Sequence, residues 1–256
     1  MFRSAFLLAA TAATGWFFFL QDRTAYEVWG LARDLTDSRP AHSLLIMGNS
    51  RTFYHAMPYM IRPIADSAHD PEKYQIMLIA WPGASFQELA RDGRVRRIAG
   101  SEWDDVVMQG ESRGQSSQAL EADFETYGEV LAGAAHPARG RPLLIVNWTY
   151  EPELFGHPEG RAAHTEYVRR AHDWLARRGD LREVHVSEIW EKVRAHHPEI
   201  RLTSDGNHPT VAGSYLLALA VYSSVSGRSV AEVTYSPPDL STKDAAAIRR
   251  IVAAMS

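Results

Sequence analysis

A chain of 256 residues with 45% hydrophobic content is long enough to bury a full-sized core, and no polar linker or composition break divides it. A formal net charge of −4, with arginines scattered along helical stretches, argues against nucleic acid as a partner. The absence of cysteine removes disulfides, thiolate nucleophiles and Cys-type zinc sites together, and leaves the redox compartment open.

At the amino terminus, Arg3 precedes an uncharged stretch from Ser4 to Leu20 that ends in Trp16-Phe-Phe-Phe-Leu20. Residues 1–22 therefore read as an export signal or membrane anchor, and residues 23–256 as a single domain. The apolar part, about 17 residues, is at the short limit for crossing a bilayer. The Ala-Thr-Ala at 10–12 comes early for a cleavage site, so a retained tether through residues 4–20 and a cleaved signal stand equally. A periplasmic, secreted or membrane-anchored protein is expected; a buried amino-terminal helix is the plainer alternative.

A helix is expected over Ala25–Asp37. Short apolar runs then recur at Ser43–Met47, Gln75–Ala80, Asp105–Met108, Leu143–Asn147 and Glu183–Val186. Helical spacing follows each of them, over Thr52–Ser67 with Pro58 as a kink or early break, Phe86–Ile98, Gln115–Ala134, Arg161–Arg177 and Val186–His196. Helices Val211–Ser226 and Thr242–Ala254, the latter past Pro237-Pro238, close the chain. The βα rhythm predicts a three-layer α/β/α fold around a mostly parallel five-stranded sheet. Sites in such sheets form beyond the carboxyl ends of the strands. The residues there are Gly48-Asn49-Ser50, Trp81-Pro82-Gly83-Ala84-Ser85, Gln109-Gly110-Glu111-Ser112 and Asn147-Trp148-Thr149.

Near the other end, Thr203-Ser-Asp-Gly-Asn-His-Pro-Thr-Val-Ala-Gly213 places Asp205 and His208 three residues apart ahead of an apolar helix. A serine hydroxyl is a poor nucleophile unless a neutral imidazole takes its proton. Ser50, His208 and Asp205 supply the nucleophile, the general base and the group that fixes the base's tautomer. The bland readings are a helix-capping serine, an Asx-turn with Pro209 at a first helical position, and a turn glycine at Gly83. His196-His197 lacks a third ligand at metal spacing and reads as a solvated helix end. Trp81, Trp148 and Tyr150 fall on the same rim, where they stack a sugar ring or simply pack.

Taken in order, Ile46-Met-Gly-Asn-Ser50, Trp81-Pro-Gly-Ala-Ser85, Met108-Gln-Gly-Glu-Ser112 and Asp205-Gly-Asn-His208 resemble the four blocks of the SGNH (GDSL-type) hydrolase family, over about residues 43–220. Asn49 stands where many members have Asp. The third block departs from the common Gly-x-Asn-Asp and resembles that of carbohydrate O-acetylesterases of the sialate and acetylxylan types. The resemblance implies an SGNH/flavodoxin-like fold and an oxyanion hole from the N–H groups of Ser50 and Gly83 with a side-chain amide at Gln109, Asn147 being able to reach the same spot. It also makes Glu111 a second acid that could share or replace the work of Asp205. Asn147 joins Trp81 and Trp148 as a substrate-binding candidate. A small ester or acylated carbohydrate is the implied substrate, and no metal or organic cofactor is implied.

Two rivals stand beside this reading. Gly110-Glu-Ser-Arg-Gly114 satisfies the nucleophile-elbow pattern and offers Ser112 to an α/β-hydrolase, although no glycine-rich oxyanion segment lies upstream. The same scaffold also suits an acyltransferase or a binding module without catalysis. The triad does not distinguish hydrolysis from transfer, and the acyl chain, the alcohol and the oligomeric state are not encoded legibly.

Overall fold

The computed structural model describes residues 36–111, 118–151, 154 and 158–255. The chain divides into two units at Arg39 and Pro40. Of the first, only the last residues are described, and there the Arg39 guanidinium pairs with Asp37 at 2.6 Å. The expected leader 1–22, the expected helix from Ala25 up to residue 35, and Ser112 lie outside the described residues. Among the described residues no helix is long and apolar enough to cross a membrane.

The second unit is built on five strands: β1 (Ala41–Gly48), β2 (Lys73–Ala80), β3 (Asp105–Met108), β4 (Leu143–Ile145) and β5 (Arg182–Val184). All pair in parallel, in the order β2-β1-β3-β4-β5, so the sheet is entirely parallel where a mostly parallel one was expected. Strand β1 lies between β2 and β3 and is covered on both faces, which is why Leu44–Met47 is a continuous apolar run. Leu44 and Ile46 face one core with helices α2 (Met57–Ser67), α7 (Val186–His196), α8 (Val211–Ser226) and α9 (Thr242–Met255). Leu45 and Met47 face the other, with α3 (Phe86–Arg91), α4 (Gly93–Ala99), α5 (Gln118–Ala134) and α6 (Pro158–Arg178). Helix α8 is apolar on every side because it is the innermost one: everything from Ala212 to Ser223 is buried.

Two expected helices are broken. The segment after β1 divides into α1 (Ser50–Phe53), a 3₁₀ turn at Tyr54–Ala56, and α2. The break falls at His55 and Ala56, which have positive φ of 50° and 52°, and Pro58 then sits in the first turn of α2, where a missing N–H is harmless. The stretch Phe86–Ile98 divides at Asp92, whose extended backbone ends α3 and whose carboxylate accepts from the Arg94 N–H to start α4. Strand β4 stops at Ile145 instead of Asn147; Val146 still donates to the Val184 carbonyl and accepts from the Ser187 N–H, and Asn147 lies just past the ladder.

Candidate active site

The carboxyl end of β1 delivers Ser50 as the first residue of α1. Asn49 caps that helix, its Oδ1 accepting from the Arg51 N–H at 3.1 Å. The backbone must pass close to its neighbours here: a Cβ on Gly48 would sit 2.7 Å from Thr52 Oγ1 and 2.8 Å from Gln109 Oε1. Asn49 itself is 4% exposed and joins three segments. Its Nδ2 donates to the Ala84 carbonyl at 3.1 Å and the Gly110 carbonyl at 3.4 Å, and its N–H donates to Gln109 Oε1.

The turn before α8 brings the distant pair to this point. Asp205 Oδ1 accepts from the N–H groups of Asn207 and His208, at 3.0 and 2.7 Å, which folds the turn around the carboxylate. Asp205 Oδ2 lies 2.7 Å from His208 Nδ1, and His208 Nε2 lies 3.1 Å from Ser50 Oγ. With Nδ1 protonated toward the carboxylate, Nε2 presents its lone pair to the serine hydroxyl. Burial pushes the Asp205 carboxyl up, but hydrogen bonds from the His208 side chain and from the two backbone N–H groups outweigh it and hold the group at about 2. The imidazole is also covered on one face, where the Tyr54 ring stacks on it at 4.6 Å and 12°. The strained 54–56 turn presents that ring.

Trp81 to Ala84 forms a tight turn closed by an Ala84 N–H to Trp81 carbonyl bond of 3.1 Å. Pro82 and Gly83 are its central residues, and Gly83 has a φ of +71°, which only glycine adopts without cost. No hydrogen bond of the Gly83 or Ser50 N–H appears among the described residues.

The other sequence-derived candidates lie elsewhere. Gln109 is fully buried, its Oε1 on the Asn49 N–H and its Nε2 on Asn147 Oδ1 (3.1 Å) and the Gly110 carbonyl. Its amide, fully buried and bonded to Asn49 and Asn147, braces the strand ends from inside. Asn147 is equally buried and donates to the Gly110 carbonyl at 3.0 Å, an interior place that does not suit a substrate contact. Glu111 accepts from the Phe86 N–H at the start of α3, at 3.0 Å, and burial pushes its carboxyl up; the imidazole nitrogen it was offered for is held by Asp205. Trp148 is 1% exposed, with Trp190 stacked on it at 4.2 Å and the Arg51 guanidinium 4.3 Å from its ring centre, so it has no face free for a sugar. Trp81 is half-buried and packs against the second core. His196 and His197 bond the Lys192 carbonyl and Glu199.

Arg51, Asn207 and Tyr54 were not singled out by sequence. The Arg51 guanidinium is 1% exposed and donates to Asn207 Oδ1 through Nε (3.0 Å) and a terminal nitrogen (2.9 Å), and to the Trp148 carbonyl at 2.7 Å. A cation directly after a nucleophile candidate was a signal, but its partners lie far along the chain.

No protein-family model matches the sequence, and no curated protein matches it. Solved structures do. A DUF4886 family protein from Bacteroides uniformis superposes with a TM-score of 0.70 at 13% identity, covering 84% of this chain and 94% of the other. A putative SGNH hydrolase from Slackia heliotrinireducens gives 0.58 at 25% identity, covering 71% and 97%. An acetylxylan esterase from Geobacillus stearothermophilus gives 0.56 at 16% identity, covering 73% and 95%. The chain therefore has the three-layer α/β/α fold of the SGNH hydrolases, and its resemblance to that family extends from four short blocks to the whole parallel sheet.

Proposed function

We propose that the protein is a serine esterase of the SGNH type that cleaves a small acyl ester through an acyl-enzyme on Ser50. The observation that carries the reading is the continuous chain of hydrogen bonds from Ser50 Oγ to His208 Nε2 and from His208 Nδ1 to Asp205. In the proposed reaction His208 takes the serine proton as Oγ attacks the ester carbonyl, then returns it to the departing alcohol. Asp205 stays ionised and stabilises the imidazolium. The oxyanion is received by the N–H groups of Ser50 and Gly83. Water, activated by the same imidazole, then hydrolyses the acyl-enzyme.

An acetyl group on a carbohydrate is the favoured substrate. It is supported by the third sequence block and by the fold shared with the acetylxylan esterase. Export or membrane tethering rests on the uncharged segment 4–20. The test is a panel of nitrophenyl esters of increasing chain length, with fluorophosphonate labelling, on wild type and Ser50→Ala. Steep preference for acetyl, stoichiometric labelling of wild type and loss of both in Ser50→Ala are expected. Labelling that persists in Ser50→Ala and disappears in Ser112→Ala would reverse the choice of nucleophile, and no labelling at all would leave a binding module.

A further inference from the structure

Arg51 is a buried cation held, among the described residues, by uncharged acceptors. Among the described residues no carboxylate lies within ion-pair distance of it, and all its hydrogen-bond acceptors are neutral: Asn207 Oδ1 and the Trp148 carbonyl. Desolvation pulls its guanidinium down to about 10, which still leaves it charged at neutral pH. Burying a charge whose direct partners are neutral, with only a longer-range attraction from the Asp205 carboxylate, is unfavourable relative to an apolar side chain of similar size, so a folding role alone gives little reason for it. What the guanidinium does gain is geometry. It grips Asn207, the residue directly before His208, with two N–H groups, while the Trp148 indole N–H donates to the Asn207 carbonyl at 3.0 Å. The Asn207 N–H is in turn one of the two donors that hold Asp205 Oδ1. Ser50 and the turn carrying its base are thereby tied together through the residue next to the nucleophile.

We propose that Arg51 is a positioning residue that, through Asn207, fixes the Asp205–His208 turn at hydrogen-bonding distance from Ser50. The inference rests on the esterase reading above and adds to it a part that the four blocks do not contain. A forked, planar donor is required for this grip, and an ammonium on a flexible stem does not reproduce it.

The test compares wild type with Arg51→Lys, Arg51→Met, Asn207→Ala, Asn207→Asp and the Arg51→Met/Asn207→Ala double variant in acetyl-ester hydrolysis, fluorophosphonate labelling and thermal melting. Displacement of a catalytic group by about 1 Å costs up to about a hundredfold, so kcat in Arg51→Met and Asn207→Ala is expected to fall roughly ten- to a hundredfold. KM should stay within about twofold, and labelling should be slower yet reach full stoichiometry. Arg51→Lys should recover part of the rate, and Asn207→Asp, which restores an acceptor, most of it. The double variant should be no slower than the slower single one. A purely structural role would instead lower the fraction of molecules that label and leave the rate per labelled site unchanged; that result, or losses that multiply in the double variant, overturns the proposal. If Arg51→Met does not fold, Asn207→Ala against Asn207→Asp decides by the same criteria. Wild type that neither hydrolyses nor labels would fail before any substitution, ending the esterase reading and the positioning role together.

Discussion

At the scale of single residues, Asn49 separates this chain from the more common Asp at the same place in the first block. An aspartate could still cap α1 through one oxygen, as Asn49 does for the Arg51 N–H. It has no hydrogens to give to the Ala84 and Gly110 carbonyls, and its second oxygen would face both of them in a site that is 4% exposed. A buried charge set against acceptors is strongly unfavourable. Asn49→Asp is therefore expected to destabilise the protein by about 2–4 kcal/mol at pH 7, with the deficit shrinking as pH falls and the carboxyl protonates. Urea unfolding at pH 7 and pH 5 measures both. Equal stability to wild type at pH 7 would mean that a countercharge or water reaches the site, and that the asparagine is not what holds the three segments.

At the scale of elements, the site is organised by junctions more than by the helices and strands themselves. The four blocks were legible because each places a characteristic side chain directly after an apolar run, and strand ends converge in a parallel sheet whatever the loops do. The Asp205–His208 turn was legible because it is local. Arg51 to Asn207 and Ser214 to Tyr54 were not, because those contacts join residues 156 and 160 positions apart with no periodicity to announce them. Gln109 lies at the strand end where the sequence puts it, but only packing shows that its amide turns inward to Asn147 and the Asn49 N–H. The Asp92-Gly93 pair was a readable break within Phe86–Ile98, overridden by an unbroken apolar spacing. The tightest junction is β1 to α1. A methyl on Gly48 would press on Thr52, which is fully buried and anchored to the Asn49 carbonyl at 2.8 Å, and on Gln109 Oε1. Gly48→Ala should therefore cost about 1–3 kcal/mol in stability. It should also lower esterase turnover per folded molecule, since α1 carries Ser50. A variant with an unchanged melting temperature would show that the junction relaxes freely and that close approach does not dictate the glycine.

At the scale of the whole molecule, two buried imidazoles oppose each other in acid. His42, at the amino end of the sheet, lies between Asp105 and Glu72, with ring nitrogens 3.0 Å from each carboxylate, and Arg139 and Arg182 close the cluster. Burial pulls its pKa down, but the hydrogen bonds to Asp105 and Glu72 outweigh it and the net direction is up. Its contribution is thus fully present below the unfolded value and is lost as pH rises through the folded one. His172, in the core between α5 and α6, is the reverse. It is fully buried, donates from Nδ1 to the Val168 carbonyl at 2.7 Å, and leaves Nε2, beside the Phe124 ring, without a partner among the described residues. Burial pulls it down to about 4, whereas in the unfolded chain it takes the ordinary value of about 6.5. Between those two values the unfolded state binds a proton that the folded state refuses, so stability falls as pH drops and levels off only below the folded value. His172→Met fills similar space, cannot titrate and removes the orphaned nitrogen. On going from pH 7 to pH 4.5, wild type should lose about 2–3 kcal/mol more unfolding free energy than His172→Met, with His42 intact in both. Urea titrations at the two pH values give the difference directly. Parallel losses would mean that the imidazole gains its proton without unfolding, through water or a rearranged Phe124, and that the acid sensitivity of this fold lies among its carboxylates instead.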